Sequence, residues 1–325
     1  MGALIPIFIT VIILLFIFVF IFLFRKYESF SFLSSYPNDL INRHKDISDC
    51  HSKIGREQCK FVFPDTYKIS KNKQILSTQI QNIKKRYQNG DYFILKHIWG
   101  QQRNGLEVIN YHQLRPEFLS KYDQIQKIIL SDLINGFVFH VRMYLITDCR
   151  YGNFLFDNGI VIYAKKKFNN KYNKDTIITA SLKSGNQDLK VYQENKLPKD
   201  LYELFKYYES IGKSSKLLQH NIKRVFKKYC QLKDFCQTKA PKDYHQKKNI
   251  EQDFLNSRYF KEKWIFGPDL LIDKDLNCYI IEVNQGPDLR LRKEGQLMWQ
   301  TEIKKKLLTF FSKDVYNHHF INLGF

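Results

Sequence analysis

Several absences narrow the field first. The six cysteines, at positions 50, 59, 149, 230, 236 and 278, include no Cys-x-x-Cys pair, and no histidine stands at zinc-site spacing from them. Common zinc modules and redox dithiols are thereby excluded. No Ser/His/Asp or Cys/His pattern points to a nucleophilic enzyme, no nucleic-acid-binding module is recognisable, and no internal repeat suggests a solenoid. Acidic residues are scarce, 32 against 52 Lys and Arg, for a formal net charge of +20. That imbalance suits an acidic partner: a nucleic acid, an anionic membrane surface or an acidic protein tail. It equally suits a chain crowded with Lys, Asn, Ile, Tyr and Phe and poor in Ala, so charge alone selects neither.

The first 24 residues carry no charged side chain, and residues 3–24 are almost unbroken apolar sequence. At ~1.5 Å per residue this run spans roughly 33 Å, enough for a bilayer core. It lacks the basic start and small-residue cleavage site of a secretory signal. The expectation is a single-pass membrane protein, with residues 1–26 as a transmembrane anchor. Arg25 and Lys26 flank its C-terminal end and nothing basic precedes it, which predicts a cytosolic C-terminal domain. The cysteines are then expected to be reduced and structural, Cys50 and Cys59 pairing only if the topology is otherwise. A tether over 27–57, a main domain over 58–315 and a C-terminal tail over 316–325 complete the expected organisation.

Along the main domain the elements alternate without a βαβ rhythm. A short strand is expected in Phe61–Tyr67, a helix over 73–89 with Ile75, Ile80 and Ile83 inward, and a strand over 91–96. Strands follow at 124–129 and 137–147. The Asp157-Asn158-Gly159 turn predicts a hairpin between 153–156 and 160–164. Residues 199–234 read as helix, 237–250 as a surface loop, and helix resumes near 251–263. This order predicts an α+β fold of mixed and antiparallel sheets with helices.

The chemistry concentrates near the C-terminus. Two Ile/Leu-rich runs flank Asp273-Lys-Asp275-Leu-Asn277 and predict a β-hairpin. Glu282 and Asn284, two apart, share a strand face, and a hairpin centred near Asp275 sets Asp269 opposite them. Two carboxylates and an amide oxygen suit a hard cation such as Mg²⁺, which bridges to phosphates. Lys96 ends a strand ahead of Gly100 and Gly105, a unit able to cover phosphates, although a strand-end Lys before a turn also fits. Arg142 alternates with His140 and Tyr144 on one strand face. It requires either an anionic ligand or a structural ion pair, while His140 by itself reads as packing.

In order, these pieces resemble the tubulin-tyrosine ligase-like family of the ATP-grasp superfamily. The likeness runs through Phe63-Pro64-Asp-Thr66-Tyr67, Phe93-Ile-Leu-Lys96, Ile125-Gln126-Lys127-Ile128-Ile129, Phe139-His140-Val141-Arg142, Ile178-Thr179-Ala180, Phe266-Gly-Pro-Asp269 and Ile281-Glu282-Val-Asn284-Gln-Gly-Pro287. The resemblance implies an ATP-grasp core that uses ATP and Mg²⁺. It makes Asp269, Glu282 and Asn284 the metal ligands. Lys96, Gly100, Gly105, Gln126, Lys127, Ile129 and Thr179 become nucleotide contacts, with Lys96 and Arg142 catalytic. It further implies a carboxylate–amine ligase joining an amino acid to an acidic protein acceptor of tubulin type, with no specific nucleic-acid partner. The departures fall on one side of the site. Val138 and His140 replace the family's Lys and Asp, Ile162 stands where a second Arg is expected, Ala180 replaces an Asn, and Arg103 takes a glycine position. A second reading is therefore a catalytically impaired nucleotide-binding module that docks an acidic partner at a membrane.

Overall fold

The smaller of two sheets begins where the chain enters at Pro64. β1 (Thr66–Lys68), β2 (Tyr92–Lys96), β3 (Leu106–Asn110) and β4 (Gln124–Lys127) pair antiparallel in the order β1-β4-β2-β3. The computed structural model describes residues 59, 61–97, 105–148, 151–179, 192–232, 263–284, 287, 298–313 and 319–324. Helix Lys73–Arg86 starts at Asn72, whose Oδ1 accepts from the N–H groups of Gln74 and Ile75, and Lys84, Lys85 and Arg86 suit the dipole at its last turn. Leu76, Ile80 and Ile83 bury against Phe93, Leu95, Ile109 and Ile125. Ile75 is exposed, contrary to expectation, because 76, 80 and 83 keep the i, i+4, i+7 spacing of one face. Alternation along β2 turns Tyr92, Ile94 and Lys96 to the opposite face of the small sheet.

The larger sheet contains β5 (Leu133–Ile134), β6 (Phe137–Arg142), β7 (Leu145–Asp148), β8 (Gly152–Phe156), β9 (Ile160–Tyr163), β10 (Lys263–Ile272), β11 (Cys278–Asn284) and β12 (Phe320–Gly324). Its main path is β12-β8-β7-β10-β6-β5, with β11 added to β10 and β9 to β6. One face packs Phe139, Val141, Val161, Leu270, Ile280 and Val283 with the apolar sides of helices Leu201–Ser210 and Ser215–Leu232. On the other face Ile160, Ile162 and Tyr144 cluster with Ile303 and Leu307 of helix Met298–Lys313. The mixed α+β class with antiparallel sheets follows the sequence expectation.

Four local expectations change. The run 137–147 is two strands, because Pro268 of β10 has no N–H to donate where the ladder passes from β6 to β7; Met143 N–H instead donates to Pro268 O, 2.8 Å. β8 and β9 do not form a hairpin; β8 pairs with β7 and β9 with β6. The corner between them is held by Asn158 Oδ1, which accepts from Gly159 N (2.8 Å) and Leu201 N (3.0 Å). The 199–234 helix breaks at Gly212, which has φ +77°. Residues Phe320–Gly324, expected in a tail, pair with β8 at the sheet edge.

The single-pass membrane localisation is corrected: among the described residues no helix is long and apolar enough to cross a membrane. The run 3–24, on which that expectation rested, lies outside the described residues, as do Gly100, Arg103, Ala180 and the segment 237–262. The expectation of six reduced cysteines is also corrected. Buried Cys59 is disulfide-bonded, with a partner outside the described residues, since Cys230 and Cys278 are free. Burial pushes the Cys230 thiol up to about 12, so it stays protonated and inert at neutral pH.

The Asn158 corner lies hard against β6, since a Cβ on Gly159 would meet Arg142 O at 2.8 Å and Val141 Cγ1 at 2.9 Å. Gly159→Ala should therefore cost about 1–3 kcal/mol through forced backbone movement. Urea denaturation checks this; a midpoint equal to wild type with unchanged slope contradicts the close approach.

Candidate functional site

Asp269 sits mid-sheet, with Arg142 of β6 as its cross-strand partner on one side and Glu282 of β11 on the other. Gly267 faces Asn284 two residues back, so the hairpin sets Asp269 directly opposite Glu282, with Asn284 next along. A β-bulge lies between Asp269 and Leu270, where Glu282 and Ile280 are the paired residues and Ile281 is the extra one. Its carbonyl, free of the ladder, accepts from Lys96 Nζ at 3.2 Å. Lys96 comes from the small sheet and is buried, so one hydrogen bond joins the two sheets at the site.

Electrostatics follow from this burial. Desolvation pulls the Lys96 pKa below its ordinary value, and the charges of Glu282 and Asp269 act against that fall. Arg142 clasps Asp269 with two N–H groups, one from Nε to Oδ1 and one from Nη2 to Oδ2 at 2.9 Å. Burial opposes ionisation of the Asp269 carboxyl, but Arg142 and then His140 outweigh it and hold the group well below the usual carboxylate range. The Arg142 guanidinium is held charged by Asp269 against the same burial. Gly267 makes room for the pair, because a Cβ there would stand 3.2 Å from Arg142 Cδ and 2.8 Å from Pro287 Cβ.

His140 completes the group. Its Nδ1 is in close contact with Thr179 Oγ1, and its Nε2 lies 3.4 Å from Asp269 Oδ1 without a hydrogen-bond partner. Thr179 is held there by a β-bridge to Ala164. Asn284 Nδ2 donates to Gly267 O at 3.2 Å, which turns its amide oxygen the other way and leaves it available as a ligand. Among the described residues no three His, Cys, Asp or Glu side chains are gathered as a ready cation cluster. Carboxylates of Asp269 and Glu282 with the Asn284 amide oxygen nevertheless form a donor set of the chemistry Mg²⁺ takes.

The other expected contacts divide. Gly105, at φ +80°, closes the β2–β3 loop, accepting from His97 N–H at 2.8 Å. Gln126 spends its amide on Thr66 Oγ1, 2.9 Å, tying β4 to the entry turn. Lys127 pairs with Asp91 and lies over the rings of Tyr87 and Phe93. Ile129 borders a cavity of about 350 Å³ together with Phe63, Arg86, Arg224 and Tyr279. Sequence reasoning treated His140 as packing and missed its open Nε2. The available signal was its shared strand face with Arg142.

The profile of the Tubulin-tyrosine ligase family matches residues 26–315, and the chain belongs to that family. It is 26% identical over 141 residues to "Tubulin polyglutamylase ttll-4" of Caenorhabditis briggsae, and 25% identical over 143 residues to the protein of the same name in Caenorhabditis elegans. Each match covers 42% of this chain and 22% of the relative.

Ile162 stands beside His140 in the β6–β9 register and is buried with Ile160, Ile303 and Leu307. An arginine at that position would bring a charge into an apolar cluster. Ile162→Arg should lower stability by about 3 kcal/mol or more, comparable with leaving a buried charge unpaired. Thermal or urea denaturation checks this; wild-type stability would mean the position opens to solvent or to a ligand.

Proposed function

We propose that the chain is an ATP- and Mg²⁺-dependent ligase of ATP-grasp type, joining an amino acid to a protein carboxylate through an acyl phosphate. The observation that carries this reading is the convergence of buried Lys96 from one sheet on Asp269, Glu282 and Arg142 of the other. Asp269, Glu282 and Asn284 would hold Mg²⁺, which when bound neutralises charge on the phosphate oxygens. A carboxylate oxygen of the acceptor attacks the γ-phosphorus, the bond to the β-phosphate oxygen breaks, and ADP leaves. The amine then attacks the acyl carbon, phosphate departs with the C–O electron pair, and the amine gives up a proton as the amide forms. Lys96 and Arg142 stabilise charge on the transferring group by position alone, with no proton transfer of their own. Thr179 orients His140, and Gly105 shapes the loop following Lys96.

An acidic acceptor of tubulin type is supported by the relatives' names and by the +20 charge of this chain. Turnover is the part that the replaced positions bear on. A nucleotide-binding module without turnover, docking an acidic protein, is the second reading. It is favoured by Ile162, whose apolar burial removes one phosphate-facing cation of the family pattern.

Two measurements test these readings, the first their shared nucleotide and cation site and the second turnover. Thermal unfolding of the full chain should rise with ATP and Mg²⁺ together, by mass action worth about 2.7 kcal/mol at a hundredfold excess over Kd. Glu282→Gln should remove most of that gain at little cost to the apo protein. Asp269→Asn is a poorer probe, since it strands Arg142. A Glu282→Gln shift equal to wild type contradicts the cation assignment. In the second assay, ADP release with ATP, Mg²⁺, each amino acid and tubulin should be stimulated by one amino acid and the acceptor together. Nucleotide stabilisation without any such stimulation decides for the binding module.

A further inference from the structure

Helix Ser215–Leu232 turns Leu218, Ile222, Val225 and Phe226 into the main core. Its outward side carries Lys216, Lys223, Arg224, Lys227 and Lys228, all exposed, and the helix contains no Asp or Glu. None of these five cations has a salt-bridge partner among the described residues. Lys223 and Lys227 stand four apart, as do Arg224 and Lys228, so like charges adjoin on successive turns and weaken the helix. A helix face that only meets water ordinarily mixes both signs.

Charge alone would not make this a site. Beside Arg224, however, the surface sinks into the cavity of about 350 Å³, walled by Phe61, Phe63 and Tyr279, with Arg86 contributing from the helix of the small sheet. The acid of the lining, Asp65, is already engaged by Arg86 at 3.4 Å and by the Tyr87 hydroxyl. Lys127, also in the lining, pairs with Asp91. Arg224 has no such partner, and a guanidinium can grip a carboxylate through two parallel N–H bonds. Phe61 is 55% exposed, and Lys228 Nζ stands over its ring at 4.5 Å.

We propose that this helix face and the recess beside it bind an acidic polypeptide segment. One carboxylate side chain enters the recess toward Arg224, and its neighbours lie along Lys223, Lys227 and Lys228. The recess favours a polypeptide over other polyanions. A membrane surface is broad and would leave it unfilled. A single-stranded nucleic acid stacks bases on open aromatic faces, whereas Lys228 already covers the exposed ring. From Lys216 to Lys228 the face runs about 18 Å, the reach of about six extended residues. Phe139 and Val141 turn toward this helix, so Arg142, alternating with them, lies on the other side of the sheet. A partner held here leaves the centre around Asp269 open, and the inference needs neither the nucleotide nor the cation of the reading above.

The test is fluorescence anisotropy of a labelled oligoglutamate of about six residues, titrated with the full chain in the absence of ATP and metal. Binding is expected, and it should weaken as salt is added. Lys223→Gln, Arg224→Gln and Lys227→Gln together should weaken it about tenfold or more, the scale of lost hydrogen bonds to charged groups. The same charge removed elsewhere, by Lys73→Gln, Lys121→Gln and Lys165→Gln, should change it less than about twofold. Arg224→Lys keeps the charge and should still weaken binding severalfold, because an ammonium cannot make the paired contact. All these positions are exposed or half-buried, so thermal midpoints should stay near wild type. Equal losses in the two triple variants, or wild-type affinity in Arg224→Lys, overturn the inference. Tighter binding of single-stranded RNA or of phosphatidylserine vesicles, lost in the first triple variant, overturns the polypeptide assignment. Failure of oligoglutamate to bind overturns the surface and leaves the ligase reading to its own assays, while failure of ATP and Mg²⁺ to stabilise the chain leaves this surface standing.

Discussion

The buried charge of Asp269 is the constraint on which the centre of this molecule depends. A carboxylate taken out of water is tolerated only with a charged partner and filled hydrogen-bonding positions. Arg142 supplies both at once through its planar fork. That geometry requires β6 and β10 to run in the register Asp269↔Arg142, fixed further by Leu270↔Val141 on the opposite face. It requires Gly267, since a side chain there would press on Arg142. The apolar side of the same strands faces the helices, so a one-residue slip would bury Arg142 in the main core and expose Val141. Core packing and the ion pair therefore select the same register.

Lys96 adds a second condition, because it belongs to the other sheet. Around it Ile94, Tyr92 and Val108 pack with Ile128, Val138 and Ile177, so the lysine emerges from an apolar seam. The bulge at Ile281 supplies the one carbonyl it reaches. Lys96 and Arg142 balance Asp269 and Glu282 in formal charge. A divalent cation alone would leave the cluster positive, and a nucleotide triphosphate alone would leave it negative. Entering together they disturb the balance least, which makes the two ligands mutually dependent without any conformational device.

Much of this was legible in the sequence where pattern and chemistry coincide. The hairpin around Asp275 was, because Asp273 and Asn277 form a local turn held by Asp273 Oδ1 and by the backbone bond from Asp273 N–H to Asn277 O. The pairing of Asp269 with Glu282 followed from strand alternation. What failed was non-local. Asp157-Asn158-Gly159 is a hairpin signal that folds as a corner, since Asn158 bonds to Leu201, which is distant in sequence. Pro268 breaks not its own strand but the strand beside it. Ile75 and Leu76 are equally apolar, and only packing against Phe93 and Leu95 decides which one is buried. The pairing of Lys127 with Asp91 and its place over two aromatic rings are likewise contacts across strands that linear spacing does not announce.

The replaced positions make physical sense as a set. Val138, His140 and Ile162 stand where the family pattern carries a lysine, an aspartate and an arginine, and here they adjoin one another on β6 and β9. Removing a single charge from such a trio would leave a buried partner unpaired; changing all three leaves none. Val138 and Ile162 join apolar clusters on either side, while His140 keeps one polar atom facing Asp269. The wall beside Arg142 has exchanged charge for packing, and the Asp269–Glu282–Asn284 side keeps its oxygen donors. Chemistry performed here draws its positive charge chiefly from Lys96 and Arg142, because Val138 and Ile162 of the neighbouring wall supply none.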